Sequence, residues 1–229
     1  MGMQQSKKST LNMAGLHIFD MDGTLVDNDC DVSWKLFLVD AGIAPKGDLE
    51  LAQKYYDDYL DGVLDFEEFL HFQLREFLGR TKAEMAELCQ RHFDTFVRPK
   101  CRPGAVEAVR RTVEAGEPSS ILSSTNTMIS EPVRAFFGIT ETNGTTLELD
   151  ASGRFTGNIV GPYTLGEKKI AVMERLSAKY DVPPSRIAAY GDSASDIPLL
   201  SSVGEPFAVA PSDELRAEAL KRHWPILEW

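Results

Sequence analysis

Four short apolar runs set the tightest limit on how this chain can fold. They are Leu16 to Phe19, Ser120 to Ser123, Ile187 to Tyr190 and Phe207 to Val209. Each is too short for a buried helix and is closed by turn-forming or small polar residues, the pattern of a strand covered on both faces in a parallel sheet. Parallel neighbours need a crossover between them, and helical periodicity supplies it. PGAVEAVRRTVEAG opens with Pro-Gly and stops at Gly116, while GEKKIAVMERLSAKY and DELRAEALKRHW carry apolar residues three and four apart. Strand and helix in alternation predict a doubly wound, Rossmann-like α/β sheet, whose ligands sit beyond the carboxyl ends of the strands.

Two segments break the alternation. From Ser33 to Arg98 no strand pattern occurs, over a stretch too long for an ordinary crossover. Aromatic and aliphatic residues recur there at helical spacing, among them Trp34, Phe37, Tyr55, Tyr59, Phe69, Phe77 and Leu88. This predicts a helical insert after the first strand, packed helix on helix, with a few residues left to line a substrate pocket. The second break, TTLELDASGRFTGNIV, reads as a hairpin around Ala151-Ser152-Gly153. The expected division is a flexible tail over 1–14, an α/β core over 15–32 and 99–229, and a helical cap over 33–98.

Charge narrows the partners. The 229 residues carry a formal charge of -11, which disfavours nucleic acid and anionic membrane surfaces, and an anionic substrate needs a local cation to enter. Cys30, Cys89 and Cys101 are an odd set without zinc-site spacing, which fits a reducing compartment. No run approaches the ~18 apolar residues of a membrane span, and the first residues lack the apolar core of a signal peptide. The protein is therefore expected in the cytoplasm, as a monomer or homodimer.

Chemistry concentrates at strand ends. In an extended chain Asp20 and Asp22 face the same side, and like charges so close need a cation or a shared proton. A hard ion such as Mg²⁺ suits oxygen ligands and also offsets repulsion against a phosphate. Gly23 allows a sharp turn, and Thr24 offers a hydroxyl and an amide N–H. Asp27, Asp29 and Asp31 alternate as in a calcium loop, but Val32 stands at the glycine position and Leu38 at the glutamate position, so a solvated loop and helix N-cap is expected. Asp29 is near enough to Asp20 to face the same site. Asp192 and Asp196, in GDSASD, make a second acidic pair at a strand's end. Ser123, with Ser124 beside it, is placed either to bind a phosphate oxygen or to make a turn. Lys168 and Lys169 open a helix, where the dipole disfavours cations and an anion would explain them; surface solvation is the other reading.

Taken in order, FDMDGTLV, ILSST, GEKK and GDSASD resemble the four motifs of the haloacid dehalogenase superfamily, over residues 16 to 210. The insert resembles the C1-type cap of the subfamily IB branch that includes phosphoserine phosphatases. The resemblance implies a Mg²⁺-dependent phosphatase that hydrolyses a small-metabolite phosphate monoester through an aspartyl-phosphate. Asp20 would be the nucleophile and Asp22 the proton carrier, with Ser123 and one lysine neutralising the phosphoryl oxygens. Lys169, followed by Ile170, fits the family pattern better than Lys168. Asp20, the Asp22 carbonyl and Asp192 would hold the metal, with Asp196 ligating through water or orienting its neighbours. An acid at position 22 separates phosphatases and phosphomutases from dehalogenases and ion-pumping ATPases, and a phosphomutase is the nearest rival. Receiver-like phosphoacceptor domains lack both the cap and the second acid. Thr24, Asp29, Ser124, Arg75, Arg80 and Lys168 are expected at the substrate. Asp29 stands where phosphoserine enzymes carry a longer acid that binds the amine, and the resemblance implies an amine-bearing phosphate ester, phosphoserine or histidinol phosphate.

Overall fold

The computed structural model describes residues 14–229, so the tail expected over 1–14 lies, apart from Ala14, outside the described residues. In chain order the elements are β1 (Leu16–Phe19), α1 (Cys30–Asp40), α2 (Asp48–Leu60), α3 (Phe66–Leu74), α4 (Lys82–His92), α5 (Pro103–Glu114), β2 (Ser119–Asn126), α6 (Thr127–Phe137), β3 (Glu141–Leu149), β4 (Phe155–Val160), α7 (Lys168–Tyr180), β5 (Ile187–Gly191), α8 (Ile197–Leu200), β6 (Glu205–Val209), α9 (Asp213–Arg222) and β7 (Ile226–Leu227). Among the described residues one seven-stranded sheet runs β4-β3-β2-β1-β5-β6-β7. All pairings are parallel except β3 with the edge strand β4. The α/β sheet expected from the sequence is the fold observed. Because β1 has β2 on one side and β5 on the other, the winding reverses at its carboxyl end, which opens a crevice there.

Alternation along the central strands divides the core. Leu16, Ile18, Leu122, Ile187 and Ala189 face α7, α8 and α9, burying Met173, Leu176, Leu199 and Leu215. Phe19, Ile121, Ala188 and Tyr190 face the opposite layer, which includes Ala105, Val109, Ile129 and Val133 of α5 and α6. Residues of the insert join this second cluster: Trp34 and Phe37 of α1, Phe77, and Met85 and Leu88 of α4. Only Ala52, Tyr55 and Phe72, with Leu51, Leu64 and Phe69 against them, form a small core of their own between α2 and α3. The insert is thus anchored by α1 and α4, and the α2–α3 pair stands apart from the main cluster. Two further ties hold it. Gly79 N donates to Phe155 O at 2.8 Å and Phe155 N to Arg80 O at 2.9 Å, while buried Lys35 bridges from α1 to Glu76 (2.5 Å) and to the Phe72 carbonyl (2.6 Å).

The hairpin does more than the sequence suggested. The first half of β3 pairs in parallel with β2, Ser120 opposite Glu141, and the second half pairs antiparallel with β4, Thr146 opposite Val160. β2 itself runs to Asn126, beyond the apolar residues, because its polar side-chain and backbone groups find partners on β3, as in Asn143 Nδ2 to Ser120 Oγ (3.0 Å) and Thr145 Oγ1 to the Ser124 carbonyl (2.7 Å). Cys30, Cys89 and Cys101 are free thiols. No helix among the described residues is long and apolar enough to cross a membrane.

Candidate active site

β1 ends at Phe19, but the next amide still bonds across the sheet, Asp20 N to Tyr190 O at 2.9 Å. The carboxyl of Asp20 is thereby fixed at the mouth of the crevice, while Met21 turns into the core and is fully buried. Gly23 adopts φ +74°, and a Cβ there would lie 2.1 Å from Asp192 Oδ2, so only glycine permits this approach of the two loops. Thr24, fully buried, donates to Asp192 Oδ1 at 3.2 Å.

Asp20, Asp192 and Asp196 each offer a carboxylate oxygen, all within 4.8 Å of one another. Lys169 Nζ donates to Asp20 Oδ1 and to Asp196 Oδ1, both at 2.7 Å. Burial alone would lower the lysine's pKa, but the charges of Asp196 and Asp20 raise it, so the ammonium stays charged. Asp196 also accepts from the amides of Asp192 (3.2 Å) and Ser193 (3.3 Å), which fixes the loop after β5. Burial, then the charges of Asp20 and Asp196, push Asp192 up to about 9. Burial likewise lifts Asp20 to about 6 against the opposing pull of Lys169. Three hard oxygen donors on one spot, two of them, Asp20 and Asp192, raised toward protonation for want of a second positive charge, fit a small divalent cation such as Mg²⁺.

Asp22 is placed differently. Its carboxyl accepts from Cys30 N (2.8 Å) and Thr125 Oγ1 (2.7 Å), beside the acidic triad and outside it. Burial, then the charge of Asp29, push it up to about 7, poised to hold or release a proton near neutrality. Ser123, 2% exposed on β2, accepts from Thr125 N at 3.1 Å.

Asp20, Asp22, Ser123, Ser124, Lys169, Asp192 and Asp29 all line one cavity of about 510 Å³ beneath α2 and α3. Five other sequence-expected residues do not line it. Asp196, 1% exposed, is held beneath it by Lys169 and the loop amides. Thr24 is buried behind Asp192 and steadies that acid instead of facing a ligand. Lys168 is exposed on the first turn of α7. Arg75 is drawn to Asp48 and Glu76, and Arg80 stands outside the cavity where its backbone carbonyl accepts from Phe155 N. Asp31, expected in a solvated loop, is half-buried in the first turn of α1 and lines the cavity. Thr125, Arg102, Gln73 and the tyrosines Tyr56, Tyr59 and Tyr163 also line it. Thr125 was within reach of the sequence, since it stands two residues after Ser123 and shares its strand face. Tyr56 and Tyr59 showed only helical apolar spacing, and Arg102, Gln73 and Tyr163 carried no signal in the sequence.

Comparison with known proteins bears on the family and the fold. A family model for haloacid dehalogenase-like hydrolases matches residues 18–201. The chain is 37% identical over 221 residues to a histidinol-phosphatase of Neisseria meningitidis, covering 95% of this chain and 100% of the relative. A solved structure of a protein of unknown function from Bordetella pertussis superposes with a TM-score of 0.82 at 30% identity, covering 94% and 99% of the two chains. A phosphoserine phosphatase solved as a phospho-aspartyl intermediate analogue superposes with a TM-score of 0.65 at 20% identity, covering 94% and 93%, a likeness of fold.

Proposed function

Because the chain belongs to the haloacid dehalogenase-like hydrolase family, we propose that it hydrolyses the phosphate monoester of a small amine-bearing metabolite through an aspartyl-phosphate on Asp20. The observation that carries this reading is the convergence of Asp20, Asp22, Ser123, Lys169 and Asp192 on one cavity at the switch point of the sheet. The Asp20 carboxylate attacks phosphorus, and the bond to the alcohol oxygen breaks as Asp22 delivers its proton to that oxygen. Water then attacks the acyl phosphate, Asp22 takes the proton, and inorganic phosphate leaves. Lys169 and Ser123 neutralise the phosphoryl oxygens; the ammonium already stands 2.7 Å from Asp20 Oδ1, where a transferred group must lie. Asp20, Asp192, Asp196 and the Asp22 carbonyl are the groups that would hold Mg²⁺, whose charge offsets the repulsion between the carboxylates and the phosphate.

The substrate reading is supported by Asp29 in the cavity wall and by relatives named histidinol-phosphatase and phosphoserine phosphatase. Residues 33–98 serve as the cap over a core of 15–32 and 99–229, a division supported by the separate α2–α3 cluster. Three free thiols and a charge of -11 suit a cytoplasmic enzyme whose partner is a small molecule. The test is phosphate release from an aryl phosphate. Turnover is expected with Mg²⁺ and is lost in a chelator and in Asp20→Asn; metal-independent turnover, or full activity in the variant, overturns the mechanism. Single-turnover appearance of inorganic phosphate separates hydrolysis from transfer to a second alcohol.

A further inference from the structure

The cavity holds groups that the hydrolytic steps do not use. Gln73, next to last in α3, is 3% exposed and lines the cavity, yet neither its amide nitrogen nor its amide oxygen has a hydrogen-bond partner. A buried amide left in that state is destabilising, and a bound ligand group can relieve it. The amide faces the carboxyl of Asp31 without completing a bond of ordinary geometry, and Asp31 in turn lies within electrostatic reach of Asp29 and Asp22. Lys35, one turn further along α1, does not line the cavity, because Glu76 and the Phe72 carbonyl hold its ammonium at 2.5 and 2.6 Å.

Among the described residues that line the cavity the cations are Lys169 and Arg102. Lys169 is committed to Asp20 and Asp196. Arg102 donates to Gly23 O (3.0 Å), Asp27 (3.0 Å) and Trp229 O (3.5 Å). Aromatic residues Tyr55, Tyr56, Phe69, Phe72 and Tyr163 also line the cavity, beside aliphatic ones such as Leu60 and Leu64.

We propose that the substrate is a carboxylate-free phosphate ester of an amino alcohol, whose far end is a flat, nitrogen-bearing group held by Asp31 and Gln73 between aromatic rings. A ring N–H meets the Asp31 carboxylate or the Gln73 oxygen, and a ring nitrogen lone pair meets the Gln73 NH₂, which satisfies the orphaned amide. A carboxylate in the same place faces acids with no uncommitted cation and is rejected. The phosphatase reading places the phosphate end, and the inference rests on it; recognition at Asp31 and Gln73 is nonetheless measurable without turnover.

Calorimetric titration with L-histidinol and with L-serine, on the wild type and on Asp31→Ala and Gln73→Leu, gives that measurement. L-Histidinol is expected to bind the wild type, L-serine is not, and each variant weakens L-histidinol binding about 10-fold or more. With Mg²⁺, kcat/KM for L-histidinol phosphate exceeds that for phosphoserine by about 100-fold, and that ratio falls at least about 10-fold in both variants. Gln73→Leu removes an unsatisfied amide, so its melting temperature stays at or above that of the wild type, which separates lost recognition from lost folding. Equal binding of the two alcohols, equal turnover of the two esters, or unchanged affinity in both variants overturns the proposal. Intact, variant-sensitive L-histidinol binding without hydrolysis of any ester sustains recognition at Asp31 and Gln73 but defeats the phosphatase reading, and with it the claim that the bound molecule is a substrate.

Discussion

Asp192 shows how far neighbours can move a single carboxyl. Its folded-state pKa of about 9 lies above the ordinary value of 3.8, with burial first and the charges of Asp20 and Asp196 next. Asp20 and Asp22 are raised in the same sense, to about 6 and about 7, each chiefly by burial. A raised carboxyl means that the folded state holds protons which the unfolded chain has released. Its contribution to stability is full below the unfolded value and is lost as pH rises to the folded one. In a chelator the melting temperature is therefore expected to fall between about pH 5 and about pH 9, by about 5 °C or more. Mg²⁺ should flatten that slope, and Asp192→Asn should remove most of the portion above about pH 7. Thermal melts across pH decide it; a metal-free protein that gains stability as pH rises would refute the assignment. These acids were legible in the sequence because each pair has a spacing that strand or turn geometry turns into proximity. Gln73 and Asp31 were not, because their meaning depends on which face of α3 and α1 looks into the cavity, and apolar periodicity reports the packed face only.

Among the helices, α1 carries the clearest double duty. Asp29 caps it, accepting from Val32 N at 2.8 Å, and also lines the cavity. The two roles separate by substitution. Asp29→Ser keeps an oxygen at the cap and should stay close to wild-type stability, whereas Asp29→Ala should lose about 1 kcal/mol, or about 2–4 °C in melting temperature. Both remove the charge, so both should raise KM for an amine-bearing ester more than for an aryl phosphate. If Ser restores substrate affinity along with stability, Asp29 acts only as a cap. The short apolar runs revealed β1, β2, β5 and β6 because strands buried on both faces need no alternation. Two elements gave no such signal. α6 follows β2 without a loop, capped by Asn126 to Met128 N and Ile129 N, and carries Pro132 in its interior, so it reads as broken sequence. β7 is two residues long and exists only through its pairing with β6, a tertiary contact that no local pattern encodes.

The whole molecule sets the field that a substrate crosses before any side chain can touch it. A charge of -11 repels a phosphate dianion at long range, while Lys169 and a bound divalent cation attract it only within the cavity. The Debye length is about 30 Å at ~10 mM salt and about 8 Å at ~150 mM, so salt erases the long-range repulsion first and reaches the buried attraction little. With Mg²⁺ saturating, kcat/KM for an aryl phosphate is thus expected to rise about twofold between ~10 and ~150 mM ionic strength, the reverse of electrostatically steered capture. An ester that carries its own ammonium group has less net charge to repel, so its rise should be smaller. Initial rates for both esters at matched Mg²⁺ measure this. A fall with salt for the aryl phosphate would mean that the local cations, and not the acidic surface, govern approach to the cavity.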